Sequence, residues 1–349
     1  MLKRELAGMR SLSPQTHLAK RLSICTLFVG VPDRSSSRDI LWRMNRREFL
    51  SASALTAAAL SVPSSIGALA NEPAIGSFDF VYFTDTHIQP ELAAIDGCSA
   101  AFRKIRQVKA DFAVQGGDHI FDALGQSRDR ASSLYELYGR TEHLIEMPVH
   151  HVIGNHDAFG IYAKTGIALT DKDFGKRMYE DRLGKTYYSF DHKGHHFVVL
   201  DSIQVTEDRS WEARIDALQL AWLRDDLSKV SPLTPVVVIV HVPLVTGAAS
   251  YAAPREGKGN QGHVMNAYEV LPLFAGHNVL GVLQGHTHIN EVVSFRGVPY
   301  ITCGAVCGNW WHGTCFGTPE GYTVVSLRDG KMTWRYETYG FKSVDPQNT

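Results

Sequence analysis

Five short fragments of the sequence carry side chains of the kind that bind metal ions. In chain order they are Asp85-Thr86-His87, Gly117-Asp118, Gly154-Asn155-His156-Asp157, His241 and Gly285-His286-Thr287-His288. Two cations held ~3.5–4 Å apart can clamp a phosphate ester and activate a shared water or hydroxide for in-line attack. Such a site needs a carboxylate that bridges both ions, and Asp118 is the candidate. The fragments therefore predict a dinuclear site for phosphoester hydrolysis.

The chemistry of the predicted ligands limits which metals fit. Imidazole suits Zn and Fe, whereas carboxylate and carbonyl oxygens suit Mn and Mg. None of the five fragments contains cysteine, which argues against a structural zinc site there, because such sites favour thiolate ligands. We expect two divalent or trivalent ions, with Mn or Fe favoured and Zn as the alternative. The predicted ligands are Asp85, His87, Asp118, Asn155, His241, His286 and His288.

Each fragment follows an apolar run that is typical of a buried strand. Strands are predicted over residues 78–84, 111–115, 149–153, 235–240 and 279–283, and helices over 92–108, 127–145 and 213–230. Alternating strands and helices indicate parallel crossover units, in which ligand groups collect at the carboxyl ends of the strands. Lys193-Gly194 and Asp329-Gly330 are typical of hairpin turns.

The five fragments together resemble the signature of the calcineurin-like metallophosphoesterase superfamily, over roughly residues 78–290. The resemblance implies an α/β fold: an αββα sandwich of two mixed sheets flanked by helices. It implies that Asp85, His87 and His288 hold one metal, that Asn155, His241 and His286 hold the other, and that Asp118 bridges them. It also implies that His156 protonates the leaving-group oxygen and that Asp157 orients His156 by accepting its other N–H. The alternative for Asp157 is a cap on the following turn.

The sequence differs from two branches of the superfamily, which narrows the choice of branch that it resembles. Purple acid phosphatases of the superfamily carry a tyrosine ligand three residues after the bridging aspartate, where this chain has Phe121. Its phosphoprotein phosphatases carry an arginine soon after the Gly-Asp pair, where this chain has Asp122, Ala123 and Leu124. What remains is most similar to the bacterial phosphodiesterase branch.

The N-terminal residues indicate export. Arg46-Arg47 within residues 44–50, an Ala/Ser-rich apolar stretch and Ala68-Leu69-Ala70 read as a twin-arginine signal peptide over residues 44–70. The twin-arginine machinery is therefore a predicted partner, and the periplasm, or another exported location, the predicted compartment. Residues 1–43 are interpreted as a non-native or unstructured extension, with a second targeting signal as the alternative. Residues 71–349 then form a single domain, with a metal-binding core over 76–290 and C-terminal strands over 291–341 that complete the second sheet.

The substrate side of the site is less defined by the sequence. Trp310, Trp311 and His312 lie just beyond the metal fragments, where paired tryptophans would stack a flat group or simply cover a loop. Cys303, Cys307 and Cys315 are free thiols, hold one disulfide, or form an irregular zinc site with His312.

Composition excludes some classes of function. The formal net charge of -1 and the absence of a basic stripe give no reason to expect a nucleic-acid polymer as partner, and no run is long enough for a stable membrane span in the mature protein. A small-molecule phosphodiester, organic or nucleotide-like, is the predicted substrate. The alternatives are an exported phosphomonoesterase that scavenges phosphate and a non-catalytic protein that binds metal or phosphate.

Overall fold

A computed structural model describes residues 75–250 and 262–349. The predicted extension over residues 1–43 and the predicted signal peptide over 44–70 lie outside the described residues. Within the described part, no helix combines the length and apolar character that crossing a membrane requires.

The strands of the described residues are short and separated by connections that carry most of the polar chemistry. In chain order they are β1 (Phe78–Phe83), β2 (Ala113–Gln115), β3 (Val149–His151), β4 (Tyr188–His192), β5 (His195–Leu200), β6 (Ile203–Val205), β7 (Trp211–Ala213), β8 (Pro235–Val240), β9 (Asn278–Gln284), β10 (Glu291–Phe295), β11 (Val298–Thr302), β12 (Gly321–Arg328) and β13 (Lys331–Thr338).

Two mixed sheets form the centre of the fold. The first has the order β13-β12-β1-β2-β3, with β1, β2 and β3 parallel, and the second has the order β10-β11-β9-β8-β5-β4, with β11, β9, β8 and β5 parallel. Strands β6 and β7 form a small separate pair.

One predicted detail of the sheets is wrong. Residues 291–341 were expected to complete the second sheet, and β10 and β11 do so, but β12 and β13 join the first sheet, where Phe78 of β1 pairs with Leu327 of β12. The reason lies in β12, which is apolar on both faces. Val324 packs on the helix side of its sheet and Val325 packs between the sheets, so β12 suits an interior position beside β1.

The alternation of side chains along β1 places the core on both sides of the first sheet. Phe78, Phe80 and Tyr82 point between the two sheets, whereas Val81 and Phe83 pack under the helices, as the two-residue period of a strand requires. Aromatic residues dominate the inter-sheet layer, where Phe80 stacks on Phe112 with ring centroids 5.2 Å apart.

Helices cover the outer faces and complete an αββα sandwich. The helices are α1 (Ala94–Arg106), α2 (Arg128–Glu142), α3 (Arg177–Leu183), α4 (Ala217–Ser228) and α5 (Ala267–Val270). Buried residues of α1 and α2 pack on the first sheet, and those of α4 and α5 pack on the second. The predicted fold class is confirmed.

Candidate metal centre and adjacent pocket

The carboxyl ends of five parallel strands meet at one edge of the sandwich and bring the predicted ligands together. Asp85 follows β1, Asp118 follows β2, Asn155 follows β3, His241 follows β8 and His286 follows β9. The ligand atoms of Asp118, His241 and His286 lie within 4.8 Å of one another, as do those of Asp85, His87 and Asp118. Asp118 therefore belongs to both groups, as a bridging ligand must.

The two oxygens of the Asp118 carboxylate have different surroundings. Oδ1 accepts a hydrogen bond from the backbone N–H of His156 at 2.8 Å. Oδ2 lies 3.5 Å from Nε2 of His87 and 3.2 Å from Nε2 of His241. The protein thus fixes the carboxylate through one oxygen and leaves the other between the two groups of ligands.

Asp85 is held in the same way. Its Oδ2 accepts hydrogen bonds from the Thr84 hydroxyl at 2.7 Å and from the backbone N–H of His286 at 3.0 Å. Its Oδ1 is buried without a hydrogen-bond partner. Burial raises the pKa of this carboxyl, but the imidazoles of His288 and His241 outweigh burial and lower the pKa, so the anionic form is the stable one.

Backbone carbonyls orient two of the imidazoles. Nδ1 of His241 lies 2.8 Å from the carbonyl oxygen of Gly116, and Nδ1 of His288 lies 2.6 Å from that of Gly308. A neutral imidazole that donates through Nδ1 presents the lone pair of Nε2, and such outer contacts fix the tautomer of metal-binding histidines. Nε2 of His241 faces the Asp118 carboxylate, and Nε2 of His288 faces the Asp85 carboxylate.

Unpaired polar atoms test whether this cluster fits metal ions. Asp85 Oδ1, His87 Nε2, Asn155 Oδ1 and His241 Nε2 are all buried and make no hydrogen bond among the described residues. Leaving one such group unsatisfied costs about 1–3 kcal/mol, so four within one cluster need a common partner. Oxygen and imidazole nitrogen atoms are donors that divalent metals of this kind accept. The residues present fit a pair of metal ions.

The ligand-bearing loops also have an uncommon backbone conformation. Five of the seven predicted ligands lie in the left-handed region: Asp85 (φ 53°), His87 (φ 38°), Asp118 (φ 56°), His286 (φ 71°) and His288 (φ 62°). This region is sparsely populated by residues other than glycine, and strained residues cluster at functional sites. Sequence spacing alone does not reveal it.

Two glycines of the signature are required by close packing against the ligands. Gly117 has a φ of +107°, and a Cβ added there would overlap the His241 ring; a Cβ at Gly154 would overlap the backbone N–H and carboxylate of Asp118. Any larger residue would push the second strand loop away from its neighbours. These glycines therefore set the distance between loops.

His156 lies beside the cluster and pairs with a carboxylate other than the predicted one. Its Nδ1 is 3.4 Å from Oδ1 of Asp122. Burial lowers the pKa of His156, but the carboxylates of Asp118 and Asp122 outweigh burial and raise the pKa. An imidazole with a carboxylate beside it is suited to donate a proton to a leaving oxygen.

The predicted role of Asp157 is corrected by its contacts. Its carboxylate accepts from the ring of His119 and from the backbone N–H groups of Asp118, His119 and Gly154, all at 2.9–3.0 Å. Adjacent residues in a helical turn do not face each other, and His156 and Asp157 share the short turn Asn155–Asp157. Asp157 ties two ligand loops together, and Asp122 takes the position beside His156. The signal for Asp122 was a carboxylate four residues after the bridging aspartate.

A cavity of about 530 Å³ opens beside His156. Its apolar lining comes from separate loops and comprises Leu92, Phe121, Leu124, Tyr162 and Trp310. Its polar lining comprises Gln89, Asp122, Gln126, His156 and His312. The pocket is of a size that takes a small organic molecule.

The two predicted tryptophans have different positions. Trp310 is half-buried, lines the pocket and packs on His87 with ring centroids 3.9 Å apart. Trp311 is fully buried, and its indole N–H donates to the backbone carbonyl of His87 at 3.0 Å. Trp311 is therefore not a substrate residue. It contacts the first ligand loop through the hydrogen bond to His87. His312 lines the pocket, with Nδ1 2.9 Å from the Asp345 carbonyl oxygen.

The cysteines of the described residues are free thiols. Cys98, Cys303, Cys307 and Cys315 are buried and unpaired by disulfides, which argues against the predicted disulfide. Cys307 lies near His87 and His288, with its Sγ 3.7 Å from Nδ1 of His288. Because Nε2 of His288 faces Asp85 at 3.3 Å, the thiol lies behind this imidazole and not among the metal ligands.

The sequence matches the model of the calcineurin-like phosphoesterase family over residues 78–290. The chain belongs to this family, and it is a metal-dependent enzyme that hydrolyses phosphoric esters. Members of the family use a dinuclear metal centre, for which this chain supplies the cluster described above. A search of curated protein sequences finds no significant match.

Two solved structures are similar to this chain at low sequence identity. A dimetal phosphatase from Danio rerio is 17% identical over 77% of this chain and 99% of its own, with a TM-score of 0.54. A phosphopantetheinyl hydrolase from Mycobacterium tuberculosis is 14% identical over 67% of this chain and 92% of its own, with a TM-score of 0.42. At 17% identity the likeness to the Danio rerio structure is one of fold alone.

Proposed function

We propose that the protein is a phosphodiesterase that acts on a small organic or nucleotide-like phosphodiester. The observation that supports this choice is the charge of the pocket beside His156. Among the described lining residues there is no lysine or arginine, and the Asp122 carboxylate lies beside His156. A diester carries one negative charge on its phosphate, whereas a monoester near neutral pH carries close to two, so an apolar pocket with a carboxylate at its base suits the diester better.

The roles of the protein groups follow from their positions. Asp85, His87 and His288 would hold one metal, Asn155, His241 and His286 the other, and Asp118 both. When bound, the metals supply charge that binds the phosphate and lowers the pKa of a water. His156 donates the proton that the leaving alcohol needs, because its ring borders the pocket. The Asp122 carboxylate lies 3.4 Å from Nδ1 of His156, on the opposite side of the ring from Nε2.

A comparison of two chromogenic esters tests the proposal. The Mn-loaded protein is expected to turn over bis(p-nitrophenyl) phosphate faster than p-nitrophenyl phosphate, with Asn155→Ala as the blank. A preference for the monoester would move the protein to phosphate scavenging, the alternative function. Loss of both activities in a protein that retains two metals would leave a binding role.

We also propose that the protein is exported by the twin-arginine route and acts in the periplasm. The support is the sequence of residues 44–70, which lie outside the described residues. Export in the folded state would let Mn or Fe bind in the cytoplasm, before Zn or Cu, which otherwise win on affinity. Replacing Arg46 and Arg47 together by lysine should retain the protein in the cytoplasm, as cell fractionation would show. Export of this variant at the normal level would overturn the proposal.

A further inference from the structure

The pocket beside His156 contains a buried polar side chain without a partner. Gln89 is only 4% exposed and lines the pocket. Within residues 75–250 and 262–349, its amide makes no hydrogen bond, whereas the other glutamine of the pocket, Gln126, donates to Asp122 at 3.1 Å. The amide of Gln89 therefore remains open to the pocket. It offers an N–H donor group and a carbonyl acceptor to whatever fills the pocket.

Two aromatic rings form a corner in the same pocket. The rings of Phe121 and Trp310 are 6.0 Å apart and almost perpendicular, at 81°. A flat ring that stacks on one of them meets the other edge-on, and both arrangements are favourable between aromatic groups. The corner therefore selects for a flat ligand.

The loop that carries Trp310 is held in place before any ligand arrives. The backbone N–H of Asn309 donates to the Gly313 carbonyl at 2.7 Å and closes the turn. Trp311 anchors the loop in the core, and its carbonyl oxygen accepts from the Ser343 hydroxyl at 2.7 Å. Binding to such a wall does not require the wall to become ordered, which favours affinity.

The described part of the lining offers no basic side chain to a second phosphate on the ligand. It has no lysine or arginine, and Lys164 lies beside Gly125 without being part of it. The two histidines of the pocket each lie near a carboxylate, His156 near Asp122 and His312 near Asp345. The described lining therefore favours a group that is uncharged as well as flat.

We infer that this pocket binds a nucleobase and that the nucleoside is the leaving group of the phosphodiester. This inference rests on the proposed phosphodiesterase function and adds the identity and direction of one ester arm. A nucleobase is flat and uncharged and presents adjacent donors and acceptors, which is what Gln89, Phe121 and Trp310 recognise. His156 borders the pocket, so the alcohol bound there is the one that receives the proton. Hydrolysis breaks the bond from phosphorus to the nucleoside oxygen and forms a bond from phosphorus to the oxygen of a water. The His156 proton goes to the nucleoside oxygen, and the proton that the water loses goes to solvent.

The direction of cleavage tests the inference. Adenosine 5′-(methyl phosphate) can give adenosine and methyl phosphate, or adenosine 5′-phosphate and methanol. Methanol and a nucleoside 5′-hydroxyl are comparable leaving groups, so binding decides between them. Chromatography of the products should show adenosine as the main nucleoside product. Adenosine 5′-phosphate as the main product would overturn the inference.

Variants of the pocket test which residues select the base. Methyl tetrahydrofurfuryl phosphate lacks the base, and kcat/KM for the adenosine ester should exceed that for this analogue by about tenfold or more. Trp310→Ala should lower this ratio about tenfold, and Trp310→Phe, which keeps a flat ring, should restore most of it. Gln89→Leu should lower the ratio by a few fold, whereas the matched change Gln107→Leu, at an exposed position, should leave it unchanged.

Two outcomes separate this inference from the proposed function. If bis(p-nitrophenyl) phosphate is hydrolysed but the ratio is near one, or is the same in Trp310→Ala with normal metal content, only the inference is wrong. If no phosphodiester is hydrolysed by a protein that holds two metals, both are wrong.

Discussion

The metal-ligand cluster is held by polar contacts, whereas the pocket beside it is walled mainly by apolar side chains from separate loops. Each described contact of Asp85, Asp118, His241 and His288 fixes one atom and leaves the other toward the cluster. In the pocket, the rings of Phe121 and Trp310 contact each other by packing. The comparison indicates that one region sets which reaction occurs and the other sets which molecule undergoes it, so changes in each should have separable effects.

The largest effect is expected from Asp118→Ala. Both groups of ligands share this carboxylate, so its loss should remove both metals and lower activity by at least about 10³-fold, a loss of several kcal/mol of charge stabilisation. Metal content by mass spectrometry and turnover of bis(p-nitrophenyl) phosphate would check this. A variant that keeps two metals and full activity would show that the site is assigned wrongly.

His156→Asn should separate catalysis from metal binding. His156 borders the pocket and is not one of the grouped ligands. Turnover should fall by about 10²–10⁴-fold while both metals are retained. The fall should be smaller for a p-nitrophenyl ester than for an alkyl ester, because p-nitrophenolate leaves without a proton. An equal fall for both esters would argue against the role as proton donor.

Asp157→Asn should act on stability. The carboxylate accepts four hydrogen bonds that hold two ligand loops, and an amide nitrogen in place of one oxygen would face donors. We expect a loss of roughly 3 kcal/mol in the free energy of unfolding, measured by urea denaturation of the metal-loaded protein. An unchanged unfolding midpoint would contradict the tying role.

Asp122→Asn is the matched change on the other histidine–aspartate pair. Asp122 lies at the pocket and contacts His156 at 3.4 Å. Turnover should fall about tenfold, less than the roughly 10²–10⁴-fold expected for loss of the proton-transferring group itself, with little change in unfolding. If Asp122→Asn lowers stability and Asp157→Asn lowers only turnover, the two pairs have the opposite roles.

Trp311→Phe should have the smallest effect. The change keeps most of the buried ring and removes the N–H that donates to the carbonyl of His87. One unsatisfied carbonyl oxygen should cost about 1 kcal/mol of stability, and the preference for the adenosine ester should be unchanged. Thermal unfolding and the substrate ratio of the preceding section measure the two. A loss of the substrate preference would show that Trp311 contributes to substrate selection.

Much of the fold and the ligand set could be predicted from the sequence for a physical reason. Each ligand lies within four residues of a strand end, and Asp85 and His241 lie within two; apolar strands are visible as continuous runs. The position of each ligand relative to its own strand therefore indicated which distant ligands would lie close together. The turn at Lys193-Gly194 was visible for the same reason, since the turn residues themselves adopt the required φ angles.

The rest depended on contacts between distant segments. Asp157 follows His156 in the sequence, yet the short turn directs the two side chains apart, and Asp122 approaches from another loop. Trp310 and Trp311 have the same residue type, and only the course of the backbone sends one into the core. Gln89 gave no signal at all, because a single glutamine becomes informative only when it is buried without a partner.

The four buried thiols of the described residues can report how often the loops around the site open. Cys307 lies against His288 and Cys98 packs beneath the first ligand loop, with Sγ 3.9 Å from the Thr86 carbonyl oxygen. A thiol-specific dye can reach them only when these segments separate. Once Cys25 is replaced, the labelling rate would measure how often the site opens, and the ratio of rates with and without metal would measure how firmly the ions close it.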